Sequence, residues 1–258
     1  MLRRSEGIVL RSRPFGEADL ILEYLTKDYG IRSVLAKSPR KIKSRFGGSL
    51  EPFTHSAISM MGKEDAALPR LTQSDILTPF QDLRENTEAF VNACGFAELA
   101  MRLFPEREPN QSVFDLLLWA ISALEAPLKK NGKMEISAPA VPIVTAVFRI
   151  RALAMAGYAP SLGGCTRCGK ETLRYYPRSG GVFCSPVCAG ISTADGGQAG
   201  PHLELSPALP GLYGSLGGWP LEKLTRIRPS ALLLNELERF ISIHLRDRVS
   251  TVVKRPGK

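Results

Sequence analysis

The sequence predicts an α+β chain of more than one domain. A five-stranded β-barrel comes first, and a helical domain with a cysteine-rich insertion follows. Three observations predict it. Residues 2–78 break into short runs of branched and aromatic residues bounded by Gly, Pro or Asp, which is the pattern of strands. Beyond Pro79 the apolar residues recur at steps of three and four, the pattern of helices. Residues 160–200 hold nine glycines and four of the five cysteines. So little of that segment is apolar that it needs a covalent or metal staple to fold.

The strands are expected at 6–14, 18–27, 30–37, 52–61 and 67–77. Leu20, Leu22 and Tyr24 alternate with Ile21, Glu23 and Leu25, which suits a strand partly covered on both faces. Gly30, after Lys27-Asp28-Tyr29, is placed for a tight turn. Between the third and fourth runs lies Lys37-Ser38-Pro39-Arg40-Lys41-Ile42-Lys43-Ser44-Arg45, with five cations and no acid in nine positions. Pro39 and the Gly47-Gly48 pair argue against a helix or central strand there. Five short strands with a cationic loop after the third point to an oligonucleotide/oligosaccharide-binding (OB) barrel. Lys37, Arg40, Lys41, Lys43 and Arg45 are the candidate DNA contacts, because bare phosphates need little beyond reachable positive charge. The alternative is a solvated loop. Phe15, Tyr24, Tyr29 and Phe46 are candidates either for stacking on bases or for the core.

The first helix is read from Phe90, Cys94, Ala97, Met101 and Phe104, with Cys94 as a core residue and Pro105 as the stop. Ser112 with Asp115 resembles a capping box for a helix that stacks Phe114, Leu117, Leu118, Ile121 and Leu124. Residues 127–139 read as a loop bearing Lys129, Lys130 and Lys133. A third helix, near 140–156, carries Ile143, Val147, Ile150 and Ala154, with Arg149 and Arg151 off that line and Gly157 as its end. Helical pattern returns near 207–216 and again at 230–248. There Pro229 opens the helix, and Leu233, Leu237, Phe240, Ile241 and Leu245 form the buried stripe.

Cys165-Thr-Arg-Cys168 and Cys184-Ser-Pro-Val-Cys188 form two knuckles about fifteen residues apart. Each places two sulfurs on one tight turn, and Gly169, Gly180 and Gly181 let the chain fold back between them. Four thiolates at this spacing predict a structural Zn2+ held by Cys165, Cys168, Cys184 and Cys188. Two disulfides or an iron–sulfur cluster are the competitors. A four-sulfur site leaves no open position for catalysis. His202 is read as a surface residue rather than a ligand.

The formal net charge of +9 favours an anionic partner. No apolar run is long enough to cross a bilayer, and a cytoplasmic protein is expected. In a reducing compartment, cysteines favour metal over disulfides. The sequence has no GxxxxGK[ST] and no GxSxG, and its three histidines form no acid–base set. Glu17 and Asp19 offer a weak case for a metal-dependent nuclease.

Gly7-Ile8-Val9-Leu10, Glu17-Ala18-Asp19, Thr26, Gly30, Lys37-Ser38-Pro39-Arg40-Lys41 and Leu50-Glu51-Pro52-Phe53 resemble the N-terminal signature of the RecO DNA repair proteins. The two knuckles and Phe240-Ile241-Ser242-Ile243-His244-Leu245 are similar to that family's C-terminal half. The resemblance implies an OB domain, set here at 1–79, and a helical domain at 80–258 with a zinc-ribbon-like insertion at about 160–200. It implies a non-enzymatic recombination mediator of the bacterial cytoplasm and nucleoid. Such a protein binds single- and double-stranded DNA, anneals complementary strands, and acts with RecR to load RecA onto strands coated by single-strand-binding protein. The alternative function is an RNA-binding module built of an OB fold and a zinc ribbon.

Overall fold

A computed structural model describes residues 1–39, 46–63, 66–128, 140–191 and 202–253, the last six by backbone alone. The chain divides into two compact units, Met1–Phe148 and Arg149–Lys258. Among the described residues no helix is long and apolar enough to cross a membrane.

The first unit begins with strands β1 (Leu2–Phe15), β2 (Asp19–Thr26), β3 (Gly30–Ala36), β4 (His55–Met61) and β5 (Arg70–Thr78). They close into a barrel in the order β1-β2-β3-β5-β4, the expected OB type. Strand β1 makes closure possible. Its first half, Leu2–Ile8, pairs with β4, while Gly7–Phe15 pairs with β2, and a register shift between Val9 and Arg11 bends it from one neighbour to the other. The barrel shuts where β3 meets β5 in parallel, with Leu35 N–H donating to the Pro69 carbonyl at 2.8 Å. Inside lie Val9, Leu22, Tyr24, Val34, Phe46, Leu50, Ile58, Met60 and Leu71. Ile21 and Leu25, on the other face of β2, are buried as well, so the strand is covered on both sides, as its composition predicts.

A short helix α1 (Gln81–Glu85) leads into α2 (Thr87–Leu103) and α3 (Gln111–Glu125). Phe53 meets Phe90 edge-on at 5.5 Å, and His55 meets Phe114 at 5.8 Å. Two expectations are corrected here. Cys94 is exposed, because α2 buries Ala89, Ala93, Phe96, Ala97 and Ala100. Small residues allow close approach, and the buried row lies one position away from the row of larger side chains. The cap of α3 is Asn110, whose side chain accepts from Val113 N–H at 3.1 Å, and not Ser112. Asn caps as well as Ser, and here it stands directly after Pro109.

The loop between α2 and α3 lies on the barrel. Glu106 bridges to Ile31, and Arg107 N–H donates to the Ile31 carbonyl at 3.0 Å. Gly30 permits this contact. Its φ is +65°, and a Cβ there would lie 2.1 Å from the Glu108 carbonyl oxygen.

Helix α4 (Val141–Met155) crosses the boundary between the units in sequence. It is buried nearly all round, at Ile143, Val144, Ala146, Val147, Phe148, Ile150, Ala152 and Leu153, while Ala154 is exposed. Gly157, at φ +78°, ends it. Gly157 N–H and Tyr158 N–H return to the carbonyls of Ala154 and Leu153 at 3.1 and 2.8 Å.

In the second unit, β6 (Arg174–Tyr176) pairs with β7 (Gly181–Val182) and β8 (Leu203–Glu204), and helices α5 (Leu209–Gly218) and α6 (Ala231–Val253) follow. The cap of α6 is Ser230, whose Oγ accepts from Leu233 N–H at 3.3 Å, with Pro229 just before it. The buried stripe holds Leu237, Phe240, Ile241 and His244, whereas Leu233 and Leu245 are only half-buried. His244 is 1 % exposed. Its Nδ1 bonds the Tyr175 hydroxyl, and its Nε2 lies 2.6 Å from the Tyr158 carbonyl oxygen. The ring therefore joins α6, β6 and the turn after α4. Replacing His244 by alanine is expected to cost about 2–4 kcal/mol, because it empties core volume and strands a buried hydroxyl. The shift of the denaturant midpoint measures this.

Candidate metal centre and nucleic-acid interface

Both cysteine knuckles are shaped by main-chain bonds. In the first, Cys165 N–H donates to the Lys170 carbonyl and Gly169 N–H to the Cys165 carbonyl, each at 2.8 Å. Gly164 and Gly169 take φ of +109° and +74°. In the second, Ser185 Oγ accepts from Cys188 N–H at 3.2 Å, and Gly190 turns the chain at φ +74°. A small core of Cys165, Tyr176 and Phe183 backs the two turns, with Cys184, Cys188, Ala189 and Ile191 packed against it. Gly181 sits tightly here, since a Cβ would lie 2.9 Å from Thr166 Oγ1.

These turns bring the sulfurs of Cys165, Cys168, Cys184 and Cys188 within 4.8 Å of one another. Among the described residues this is the one group of three or more His, Cys, Asp or Glu side chains gathered closely enough to hold a metal. Cys168 Sγ lies 3.5 Å from Cys184 Sγ, and Cys184 Sγ lies 3.6 Å from Cys188 Sγ. Those separations are far beyond a disulfide bond, of about 2.05 Å, and all five cysteines are free. An ion bound at about 2.3 Å to four tetrahedral sulfurs would set them roughly 3.8 Å apart, so the donor set fits a metal.

The electrostatics of the four thiols suit a cation. Burial pushes the Cys165 thiol up, but the N–H groups of Cys184, Cys168 and Arg167 outweigh it and bring the pKa to about 6. Hydrogen bonds with the Cys168 and Cys188 thiols, then burial and the Cys165 charge, push Cys184 up to about 12. Four thiols in one small volume cannot all ionise unaided, whereas a bound divalent cation makes each thiolate favourable. His202 stands aside, stacked on Tyr176 at 5.4 Å with its Nε2 3.5 Å from Glu204.

Of the basic stretch, Lys37 is described and exposed, while Arg40, Lys41, Lys43 and Arg45 lie outside the described residues, as do Lys129, Lys130 and Lys133. Both flanks of the stretch are fixed. Ser38, at φ +56°, donates its N–H to Asp19 Oδ1 at 2.8 Å, and Phe46 is buried in the barrel. Asp19 thereby holds the backbone at Ser38, at the start of the basic stretch. The aromatic candidates separate. Tyr24 and Phe46 are core, Phe15 is 49 % exposed, and Tyr29 is half-buried. Phe15 pairs with Asp19, and Leu20 pairs with Ala36, so Phe15 and Lys37 share one end of the barrel.

Arg149 and Arg151 are less available than their place off the apolar line predicts. Burial lowers the pKa of both, partly offset by Glu238 and Glu222 respectively. Arg151 donates to the carbonyls of Leu216, at 3.2 Å, and Trp219, tying down the end of α5. A groove that sequence reasoning missed opens beside it. Its cavity of about 810 Å3 has an apolar floor including Leu212, Trp219, Ile227 and Leu233, and Lys223, Arg226 and Arg228 also line it. Its residues come from α5, α6 and the turn between them, so no local motif marks it.

Comparison with known proteins matches the chain in two consecutive parts. Residues 1–80 match the family model "Recombination protein O N terminal", and residues 84–254 match "Recombination protein O C terminal". The DNA repair protein RecO of Thermodesulfovibrio yellowstonii is 37% identical over 242 residues, covering 93% of this chain and 91% of that protein. That of Rubrobacter xylanophilus is 37% identical over 187 residues, covering 71% and 70%. That of Symbiobacterium thermophilum is 29% identical over 252 residues, covering 96% and 93%. With both family models matched in order and similarity running through barrel, knuckles and helices, the chain belongs to the recombination protein O family of DNA repair proteins.

Proposed function

We propose that this protein is a non-enzymatic recombination mediator. It binds single- and double-stranded DNA and anneals complementary strands. With RecR, it loads RecA onto DNA coated by single-strand-binding protein. The observation that carries this reading is the match of both halves of the chain to one DNA-repair family. The OB barrel, residues 1–79, is the DNA-binding domain, and residues 80–258 form the helical domain with the zinc-binding segment. Zn2+ on Cys165, Cys168, Cys184 and Cys188 folds that segment and takes no part in chemistry. The protein works in the cytoplasm, on the nucleoid. The groove lined by Trp219 and Lys223 supports a seat for the acidic, apolar-tipped tail of the single-strand-binding protein. A cation-lined apolar floor suits such a peptide better than half-buried Arg149 and Arg151 do.

Lys37, Arg40, Lys41, Lys43 and Arg45 contact phosphates. Exposed Phe15 at the same barrel end supports this, since it adds a stacking platform beside the charge. Neutralising two anionic strands lowers the cost of bringing them together, which is the physical content of annealing. Converting Arg40, Lys41 and Lys43 to alanine should reduce the log–log salt slope of single-strand affinity by about 2 and weaken all sequences alike. Annealing without Mg2+ should slow in step, with no shortening of the DNA. Equal slopes and affinities for variant and wild type would remove the stretch from the interface. Preference for RNA over DNA in competition would overturn the mediator reading in favour of an RNA-binding module.

A further inference from the structure

The four clustered cysteines differ in what surrounds them. Cys165 is buried, Cys184 and Cys188 are half-buried against the small core, and Cys168 is exposed. Of the four, Cys168 alone has no place in that core. The next two residues, Gly169 and Lys170, are exposed as well, so this corner of the site faces solvent. Cys168 Sγ nevertheless lies 3.5 Å from Cys184 Sγ, across the two knuckles. Arg167 fastens the same junction, since its Nη1 donates to the Val187 carbonyl at 2.9 Å. The residue beside Cys168 thus already reaches over to the second knuckle.

A metal-bound thiol is deprotonated outright, and the thiolate is the form that reacts with oxidants. An exposed thiolate beside a second cysteine is the arrangement in which oxidation runs on to a disulfide. We propose that the cysteine centre is a site of reversible oxidation by hydrogen peroxide, with Cys168 the attacking sulfur and Cys184 its resolving partner. The inference rests on the zinc reading above and adds a modification to it.

The Cys168 sulfur first attacks one peroxide oxygen. An S–O bond forms, the O–O bond breaks, and hydroxide leaves and takes a proton from solvent to become water. Cys168 is then a sulfenic acid. The Cys184 sulfur next attacks the Cys168 sulfur. The S–S bond forms, the S–O bond breaks, and a second hydroxide leaves and is protonated to water. Each sulfur gives up one electron, and the peroxide is reduced to water. Cys165 and Cys188 are then left as donors, half of the set that a structural zinc takes, and the ion is released. Strand β6 lies in sequence between the two joined cysteines. Its Tyr175 bonds His244 and packs edge-on against Phe240, so loss of the ion loosens the hold of β6 on α6. The new bond keeps the knuckles adjacent, and a reductant that cleaves it restores the four donors.

The test uses the full-length protein carrying C94S, which removes the fifth thiol. Cys94 is exposed, so this variant should fold as the wild type does, and thermal unfolding checks it. Hydrogen peroxide is added in steps, zinc release is read with a chromogenic chelator, and disulfides are mapped by peptide mass. Zinc should be lost completely at about one peroxide per chain. A peptide pair joined through Cys168 and Cys184 should appear in step, and hydrogen exchange of α6 around His244 should speed up. Catalase added beforehand should prevent all of this, and dithiothreitol followed by zinc should reverse it. Zinc that stays bound in a large excess of peroxide would overturn the switch and leave the zinc reading intact. So would release with another pair joined, with no disulfide, or without reversal. Zinc-free protein from a purification without chelators would overturn the zinc reading itself, and the switch with it.

Discussion

Cys168→Ser, or removal of the metal by a chelator, is expected to unfold the segment from about 161 to 205. Among the described residues the segment has three strands of two or three residues, and the core behind its knuckles is a cluster of only three buried residues, too little to stand alone. The free energy of binding a structural zinc is comparable to the stability of a whole small domain, so zinc on the four cysteines would decide whether the knuckles form. The loss should spread, because β6 carries Tyr175, which meets His244 and packs edge-on against Phe240 at 4.8 Å. Metal analysis of protein purified without chelators should give about one zinc per chain. Hydrogen exchange should show the segment and the middle of α6 losing protection together in the variant. Four reactive thiols, no zinc and a protected segment would refute the assignment.

Gly30→Ala should be among the most damaging single substitutions in the barrel. Its φ of +65° strains any L side chain, and the new Cβ would meet the oxygen, carbon and nitrogen of Glu108 at 2.1, 2.6 and 2.9 Å. All three are main-chain atoms, so no side chain can rotate aside. The loop between α2 and α3 must lift off Ile31, giving up its bridge and hydrogen bond. A loss above about 3 kcal/mol is expected, the sum of left-handed strain and displaced backbone. Gly47→Ala is the control. Its φ is +51°, and among the described residues nothing lies within 4 Å of the added carbon, so it should cost only about 1–2 kcal/mol of strain. Chemical denaturation of both variants measures the difference. Equal losses would mean that the loop does not press on the turn.

Strand alternation and bounding Gly, Pro and Asp residues were enough to place five strands, because each strand's signal is local. The four cysteines were legible for the same reason, as the spacing inside each knuckle describes its turn. What escaped depends on partners far away in sequence. Gly30 reads as an ordinary turn glycine, and its contact with Glu108 exists only once the helices dock. Cys94 reads as core because the choice between adjacent faces of α2 rests on what that helix meets. His244 is left out of the predicted buried stripe because nothing nearby announces Tyr175, 69 residues away.

The loop between α2 and α3 is fastened to the barrel through main-chain atoms, by the bridge of Glu106 to Ile31 and by the bond from Arg107 N–H. Such fastening uses no side-chain atom, although position 107 must supply the N–H that proline lacks and tolerate φ +67°, which β-branched residues do not. Within those limits, substitution at 106–108 leaves the attachment standing while it changes what the loop presents to solvent. The charges at 106 and 108 can therefore change by point mutation with the attachment intact, provided that the residue at 30 remains glycine. The architecture separates what must be inherited from what is open to drift, and the dividing line passes between one α-carbon and the carbonyl it touches.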